Sequence, residues 1–267
     1  MSHRSIATIL LAALLLADQG EAGGEPTRAE GTRVAARDVS PISGRAFESR
    51  QHRLAPLYEG DQRTFTITGR EGARVTAATL TERVTSLNLR RGVLRAEISA
   101  TYLTTGGRKI IGYSARRVEE VDRDGLVRAT NRLDRAPIPG SEIEGVALPR
   151  DLEVGRRWTV VLSYRDSAGR EVTSRMRRRV ARKVVRRAPD GRALPGVLIE
   201  WSEVRSVAGA RRTAVERWTG TAVYLEGVGE LETRVKRRGG RAWFSRRLAA
   251  FRSGARPVPL RAAPDRR

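Results

Sequence analysis

Apolar and polar residues alternate along most of the chain between Arg63 and Phe251, and the alternation has a period of two. It is cleanest from Val93 to Tyr102. Leu94, Ala96, Ile98, Ala100 and Tyr102 fall on one side, and Arg95, Glu97, Ser99 and Thr101 on the other. Side chains of a strand point alternately to opposite faces, so this pattern predicts a strand with one buried and one wet face. That is the antiparallel signature; a parallel strand covered on both sides would be apolar throughout. Similar runs lie at Arg63–Thr68, Arg108–Val121, Leu126–Leu133 and Trp158–Tyr164. Others follow at Arg170–Arg186, Val197–Val207, Arg211–Tyr224, Gly229–Arg237 and Arg241–Phe251. Val75–Leu89 is less regular, but its threonines and β-branched residues favour a strand over a helix. Glycine-bearing turns separate the runs, among them Thr105-Gly-Gly107, Asp124-Gly125 and Pro189-Asp-Gly191. The expectation is an all-β protein with at most minor helix: a curved antiparallel meander of about ten strands, half-barrel-like.

The ends read differently. Residues 1–22 carry His3 and Arg4, an apolar run from Ile6 to Ala17, and small residues at Gly20 and Ala22. This is the order of an export signal, with Gly20 and Ala22 at the positions a signal peptidase reads. The apolar run is too short for a helix across a bilayer core of roughly 30 Å. Residues 23–53 form a polar leader without periodicity, read as a flexible arm ending near a solvated His52. Residues 54–251 read as one β-rich domain in two loosely similar halves, with a break near 135–150. Residues 252–267, with Pro257, Pro259 and Pro264, read as a disordered tail.

Two short stretches resemble one another. Leu57-Tyr-Glu-Gly60 and Leu152-Glu-Val-Gly155 each place a leucine three residues before a glycine, then open a strand. They predict two similar entrances to the sheet, although any two strand entrances can share so short a pattern. A third stretch, Tyr224-Leu-Glu-Gly-Val-Gly-Glu-Leu-Glu-Thr-Arg-Val-Lys236, has an aromatic strand end, two glycines and an outgoing alternating strand. The second glycine is followed by no helix and no third glycine, so this is a bend between strands and not a dinucleotide loop. Taken together, Pro56–Gly60, Leu152–Trp158 and Tyr224–Val235 resemble a family of exported bacterial proteins of unknown function. Their fold resembles the LolA/LolB lipoprotein-carrier half-barrel. The chain departs from the pattern at Arg63-Thr64-Phe65, where a tryptophan is expected, and at Glu226, where a small residue or proline is usual. The resemblance implies a non-enzymatic protein holding an apolar or amphiphilic ligand, or a partner segment, on a concave sheet face. It supplies no catalytic residues.

Composition narrows the chemistry. The formal net charge is +22, and lysine occurs only at positions 109, 183 and 236, so nearly all the basic charge is arginine. Its even spread fits a compositional origin better than one dedicated patch. Loose attraction to anionic surfaces follows in either case, and outward arginines also keep sheet edges from pairing. The alternative functional expectation is therefore a basic envelope-associated protein that binds an anionic polymer or membrane surface. Specific nucleic-acid binding is not expected: the run Arg175-Met-Arg-Arg-Arg179 lacks interleaved aromatics for stacking bases.

There is no cysteine and there are only two histidines, His3 and His52. Thiolate chemistry, disulfides and His/Cys zinc sites are excluded, and a Ser/His/Asp triad would have to rest on His52 alone. Asp122-Arg-Asp124-Gly125 lacks the later ligands of a calcium loop and reads as a hairpin turn. No catalytic, metal or cofactor-binding residue is expected. Tyr102, Trp158, Trp201 and Trp218 are the candidates for a ligand-facing concave surface, named for size and strand position; core packing is the competing role.

Overall fold

A computed structural model of the chain describes residues 51–71, 74–106, 109–122, 125–133, 142–144, 146–165, 170–208, 213–240 and 242–254. Among them there is no helix. The strands are β1 (Gln62–Glu71), β2 (Arg74–Arg90), β3 (Val93–Gly106), β4 (Lys109–Asp122) and β5 (Gly125–Leu133). Two short ones follow, β6 (Glu142–Glu144) and β7 (Leu148–Pro149). Then come β8 (Arg157–Arg165), β9 (Glu171–Arg187), β10 (Ala193–Val207), β11 (Ala214–Leu225), β12 (Gly229–Arg237) and β13 (Trp243–Arg252). All belong to one antiparallel sheet in the order β6-β8-β9-β10-β11-β12-β13-β1-β2-β3-β4-β5-β7. The sheet is curved and open: an all-β, half-barrel-like fold. The ambiguous stretch from 75 to 89 lies wholly within strand β2.

The register follows the alternation. Phe65 faces Leu80, and Leu80 faces Tyr102. These and Ile67, Trp218, Val235, Phe244 and Leu248 form the largest hydrophobic cluster, on the concave face. Leu80, Leu94 and Leu225 are fully buried, each stabilising the fold by about 1.5–3 kcal/mol relative to exposure.

The two sheet entrances are built alike. Gly60 donates to the carbonyl of Val84 at 2.9 Å, and the Val84 N–H returns a bond to Asp61 at 2.9 Å. In the second half Gly155 donates to Val180 at 2.9 Å, and Val180 donates to Arg156 at 3.0 Å. Both glycines have positive φ, 83° and 90°, where a side chain is strained. The likeness extends further. A bulge follows Val84 in β2 and another follows Val180 in β9. The hairpins β4–β5 and β11–β12 each carry a bulge beside their turn, on β5 opposite Glu120 and Val121 and on β12 opposite Val223 and Tyr224. Bulges bend a strand and raise its twist, and β1–β5 and β8–β12 carry them on corresponding strands. β13 joins the halves by pairing with β12 and β1.

His52 is not at the end of a solvated arm. It is 1% exposed, accepts from the Leu54 N–H through Nδ1 at 3.1 Å, and meets the Pro149 carbonyl through Nε2 at 3.0 Å. With Nδ1 accepting, Nε2 carries the proton and donates it. Gln51 makes a two-way side-chain bond with the Leu57 backbone, at 2.6 and 2.8 Å. Arg150 reaches back to the Gln51 carbonyl at 3.2 Å. Gly227 donates to the Arg53 carbonyl, and the Arg53 side chain pairs with Glu226. Residues 51–57 thus tie β7 to the β11–β12 turn. Glu226, an oddity in the sequence, is a partner in that strap.

Candidate binding face

The sheet has a buried concave face and an exposed outer face, and the four aromatic candidates all point to the concave one. Tyr102 and Trp218 are buried in the main hydrophobic cluster. Trp201 and Trp158 are half-buried. The Trp158 Nε1 donates to the Ala147 carbonyl at 3.4 Å, and Arg178 donates to the same oxygen at 2.8 Å. The 146–150 segment therefore covers the concave side at Trp158 and Arg178. Gly20 and Ala22 lie outside the described residues.

The concave face also holds charge. Glu203 and Arg205, each 4% exposed, pair at 2.5 Å, and Ser174 donates to Glu203 at 2.6 Å. The Arg205 guanidinium lies 5.2 Å from the Trp218 ring, and the Trp218 Nε1 donates to Glu216 at 3.2 Å. Further along, Arg246 pairs with Glu230 and sits 4.9 Å over the Phe65 ring. Burial alone would lower the Arg246 guanidinium, but the adjoining Glu230 carboxylate outweighs it and holds the group above its ordinary value. Burial pushes the neighbouring Tyr224 hydroxyl up to about 12, with help from the Glu230 charge. These groups neutralise one another and leave little net charge to attract a ligand, although Arg205 Nη1 and Trp201 Nε1 are buried without a hydrogen-bond partner among the described residues.

The outer face offers more. Two rows of side chains cross the sheet at right angles to the strands, on either side of a floor made by the residues between them. One row runs Arg157, Arg179, Glu200 and Thr221, each opposite the next. It continues through Arg234, Ser245 and Thr68. The other runs Thr159, Arg177, Ser202 and Thr219, then Lys236 and Trp243. The floor is the backbone of Trp158, Arg178, Trp201, Gly220, Val235 and Phe244, whose side chains turn to the concave face. Between the rows lies a trough whose central section, around Gly220, has a volume of about 820 Å³. A second section, of about 550 Å³, continues it over Arg178 towards Trp158. Trp201 and Glu200 border both sections. The trough crosses β8 to β13 and β1, and at about 4.8 Å per strand spacing it is about 29 Å long.

Under the floor, position 220 is glycine because the concave side is already filled. A Cβ there would lie 2.3 Å from Trp201 Cζ2, so the indole occupies the space on the concave side. The walls are basic. Arg179 pairs with Glu200 at 2.8 Å and Arg234 with Glu232 at 2.7 Å. Arg157, Arg177 and Lys236 have no ion-pair partner among the described residues. Trp243 stands on the wall 39% exposed. The arginines of β9 are plain in the sequence but this surface is not, because its rows are defined only by the cross-strand register. The one sequence signal is the exposed position of Trp243, out of phase with Phe244.

No protein-family model matches the chain, and no curated protein matches it. Among solved structures it is similar to a protein with a YmcC-like fold, taken to be exported, from Bacteroides fragilis (TM-score 0.48, 14% identity, 74% of this chain and 98% of that one). It is also similar to a lipoprotein-class protein from Parabacteroides distasonis (TM-score 0.47, 11% identity, 76% and 99%). A third similar structure is the hypothetical lipoprotein YmcC from Escherichia coli (TM-score 0.33, 13% identity, 72% and 88%). Likenesses of this degree carry no argument about what this chain does.

Proposed function

We propose that this protein is an exported, non-enzymatic binding protein whose outer trough holds an extended anionic polymer. Export rests on the signal-like residues 1–22. The observation that carries the binding reading is the trough, a channel about 29 Å long whose walls hold Arg157, Arg177 and Lys236, cations without an ion-pair partner among the described residues. A linear polyanion fits such a channel: each contact is weak, but several act together, and displaced counterions add to the affinity. A bilayer surface suits it less, since a flat sheet of headgroups cannot reach a floor between two raised rows. The carrier-like alternative would place an amphiphilic ligand on the concave face. There Tyr102 and Trp218 are already packed in the core, so the trough ranks first.

The test compares two triple variants of equal charge. One is Arg157→Ala, Arg177→Ala and Lys236→Ala. The other is Arg83→Ala, Arg90→Ala and Arg91→Ala, at exposed positions outside the trough. Binding to a fluorescent heparin probe is measured from 50 to 300 mM salt. The trough variant is expected to lose at least tenfold more affinity than the other. Equal losses would mean that net charge alone attracts the probe, and the trough would not be a site.

A further inference from the structure

The chemistry of the trough walls points beyond a polyanion in general. We propose that the occupant is a linear chain of sugar acids lying across the strands, with one ring seated against Trp243; this rests on the trough being the binding site.

Three observations carry this. The first is how sparse the free charge is. Arg177 on β9 and Lys236 on β12 stand on the same wall three strands apart, about 14 Å, with Ser202 and Thr219 between them. A polyphosphate or nucleic-acid strand carries a charge on every unit, and most of those charges would face neutral side chains here. A chain of sugar acids also carries one charge per unit, but between its carboxylates it presents ring hydroxyls that can hydrogen-bond these neutral side chains. The second is the set of neutral donors and acceptors. Thr68, Thr221 and Ser245 line the central section opposite Thr219. A hydroxyl both donates and accepts, which matches a polymer rich in hydroxyls and not one of bare phosphates. The third is Trp243 itself. The half-exposed indole on the wall of the trough gives a flat apolar partner to the underside of a sugar ring, and it keeps an N–H for a ring oxygen or hydroxyl. A single indole is not the succession of aromatics on which consecutive bases stack.

The experiment uses the mature chain and three probes at one salt concentration: polygalacturonate, polyphosphate of matched charge and length, and neutral amylose. Polygalacturonate is expected to bind at least tenfold more tightly than polyphosphate, with amylose undetectable. Trp243→Ala is expected to remove that preference while polyphosphate affinity stays within twofold. Trp243→Tyr, which keeps a flat ring, is expected to restore most of it. Circular dichroism confirms that each variant is folded. Equal binding of the two anionic polymers, or equal loss for both in Trp243→Ala, overturns this proposal and leaves the polyanion reading standing. Failure of both polymers to bind overturns the two together.

Discussion

The Trp201 indole lies directly on the Cα of Gly220, with room for nothing larger than a hydrogen between them. A Cβ at 220 would come within 2.3 Å of Cζ2 and 2.5 Å of Cε2 of the ring, and within 2.8 Å of the Arg234 carbonyl oxygen. The ring is held from the far side by the Arg178 guanidinium, 5.9 Å from its centroid, so it has little freedom to retreat. Gly220→Ala is therefore expected to destabilise the protein by about 1–3 kcal/mol, the usual range for overpacking a filled site. Pairing it with Trp201→Leu should recover part of the loss, because the clash and the ring are one interaction. Urea midpoints of the two single variants and the double variant check this. Additive losses would show that the strain lies elsewhere.

Gly254 sets a harder limit than the two entrance glycines. A Cβ on Gly254 would meet the Glu59 carbonyl oxygen at 1.9 Å and the Asp61 nitrogen at 2.7 Å, both backbone atoms that cannot swing aside. Gly155 has a φ of 90° but open space around it. Its replacement by alanine meets only backbone strain, worth about 1–2 kcal/mol. Gly60 is similar, with only Gly254 Cα nearby, at 3.5 Å. The expected order of thermal destabilisation is Gly254→Ala well above Gly60→Ala and Gly155→Ala. The latter two should agree to within about 1 kcal/mol, because the two entrances share one hydrogen-bonded geometry.

How much of this is legible in the sequence depends on distance along the chain. Strand β3 can be read residue by residue because Leu94 to Tyr102 alternate without interruption, and β2 emerges from its threonines. The entrance likeness shows as Leu57 to Gly60 against Leu152 to Gly155. The bulges that accompany it do not show, since a bulge is defined against the partner strand. His52 reads as solvated for a similar reason: its partner Pro149 is 97 residues away, and nothing beside His52 announces it. The trough is hidden most fully. Arg177, Lys236 and Trp243 are far apart in sequence and share one wall only through four successive registers.

The interior pair of Arg246 and Glu230 gives a prediction with a distinctive sign. Glu230 also accepts from Thr233 at 2.5 Å, and the pair sits beside the buried Tyr224 hydroxyl. Removing one charge leaves the other buried without compensation, so Arg246→Met or Glu230→Gln is expected to cost about 3–5 kcal/mol. Replacing both together should cost much less than the sum, because the desolvation of both ions is relieved at once. A double-mutant cycle by urea denaturation reads the difference. Additivity of the two losses would show that the groups do not depend on each other.

His52 makes stability depend on pH in a defined window. Burial lowers its pKa below the ordinary 6.5, and the nearby Arg150 charge pushes the same way against the bond to Pro149. The folded state therefore favours the neutral ring, whose Nδ1 accepts from Leu54. Because the folded pKa is the lower one, the unfolded chain takes up the proton first as pH falls. The stabilisation is complete above about pH 6.5 and declines below it, until the folded pKa is passed. His52→Gln keeps hydrogen-bonding capacity but does not titrate. The urea midpoint of the parent chain should fall between pH 7.5 and 5 by more than that of His52→Gln. The strap from Gln51 to Leu57 should loosen in step, as lower amide-exchange protection, corrected for the intrinsic rate at each pH, at Leu54 and Gly227. An unchanged difference between the two proteins across this range would show that His52 takes up its proton equally in the folded and unfolded states, and so is not held neutral by its burial against Pro149.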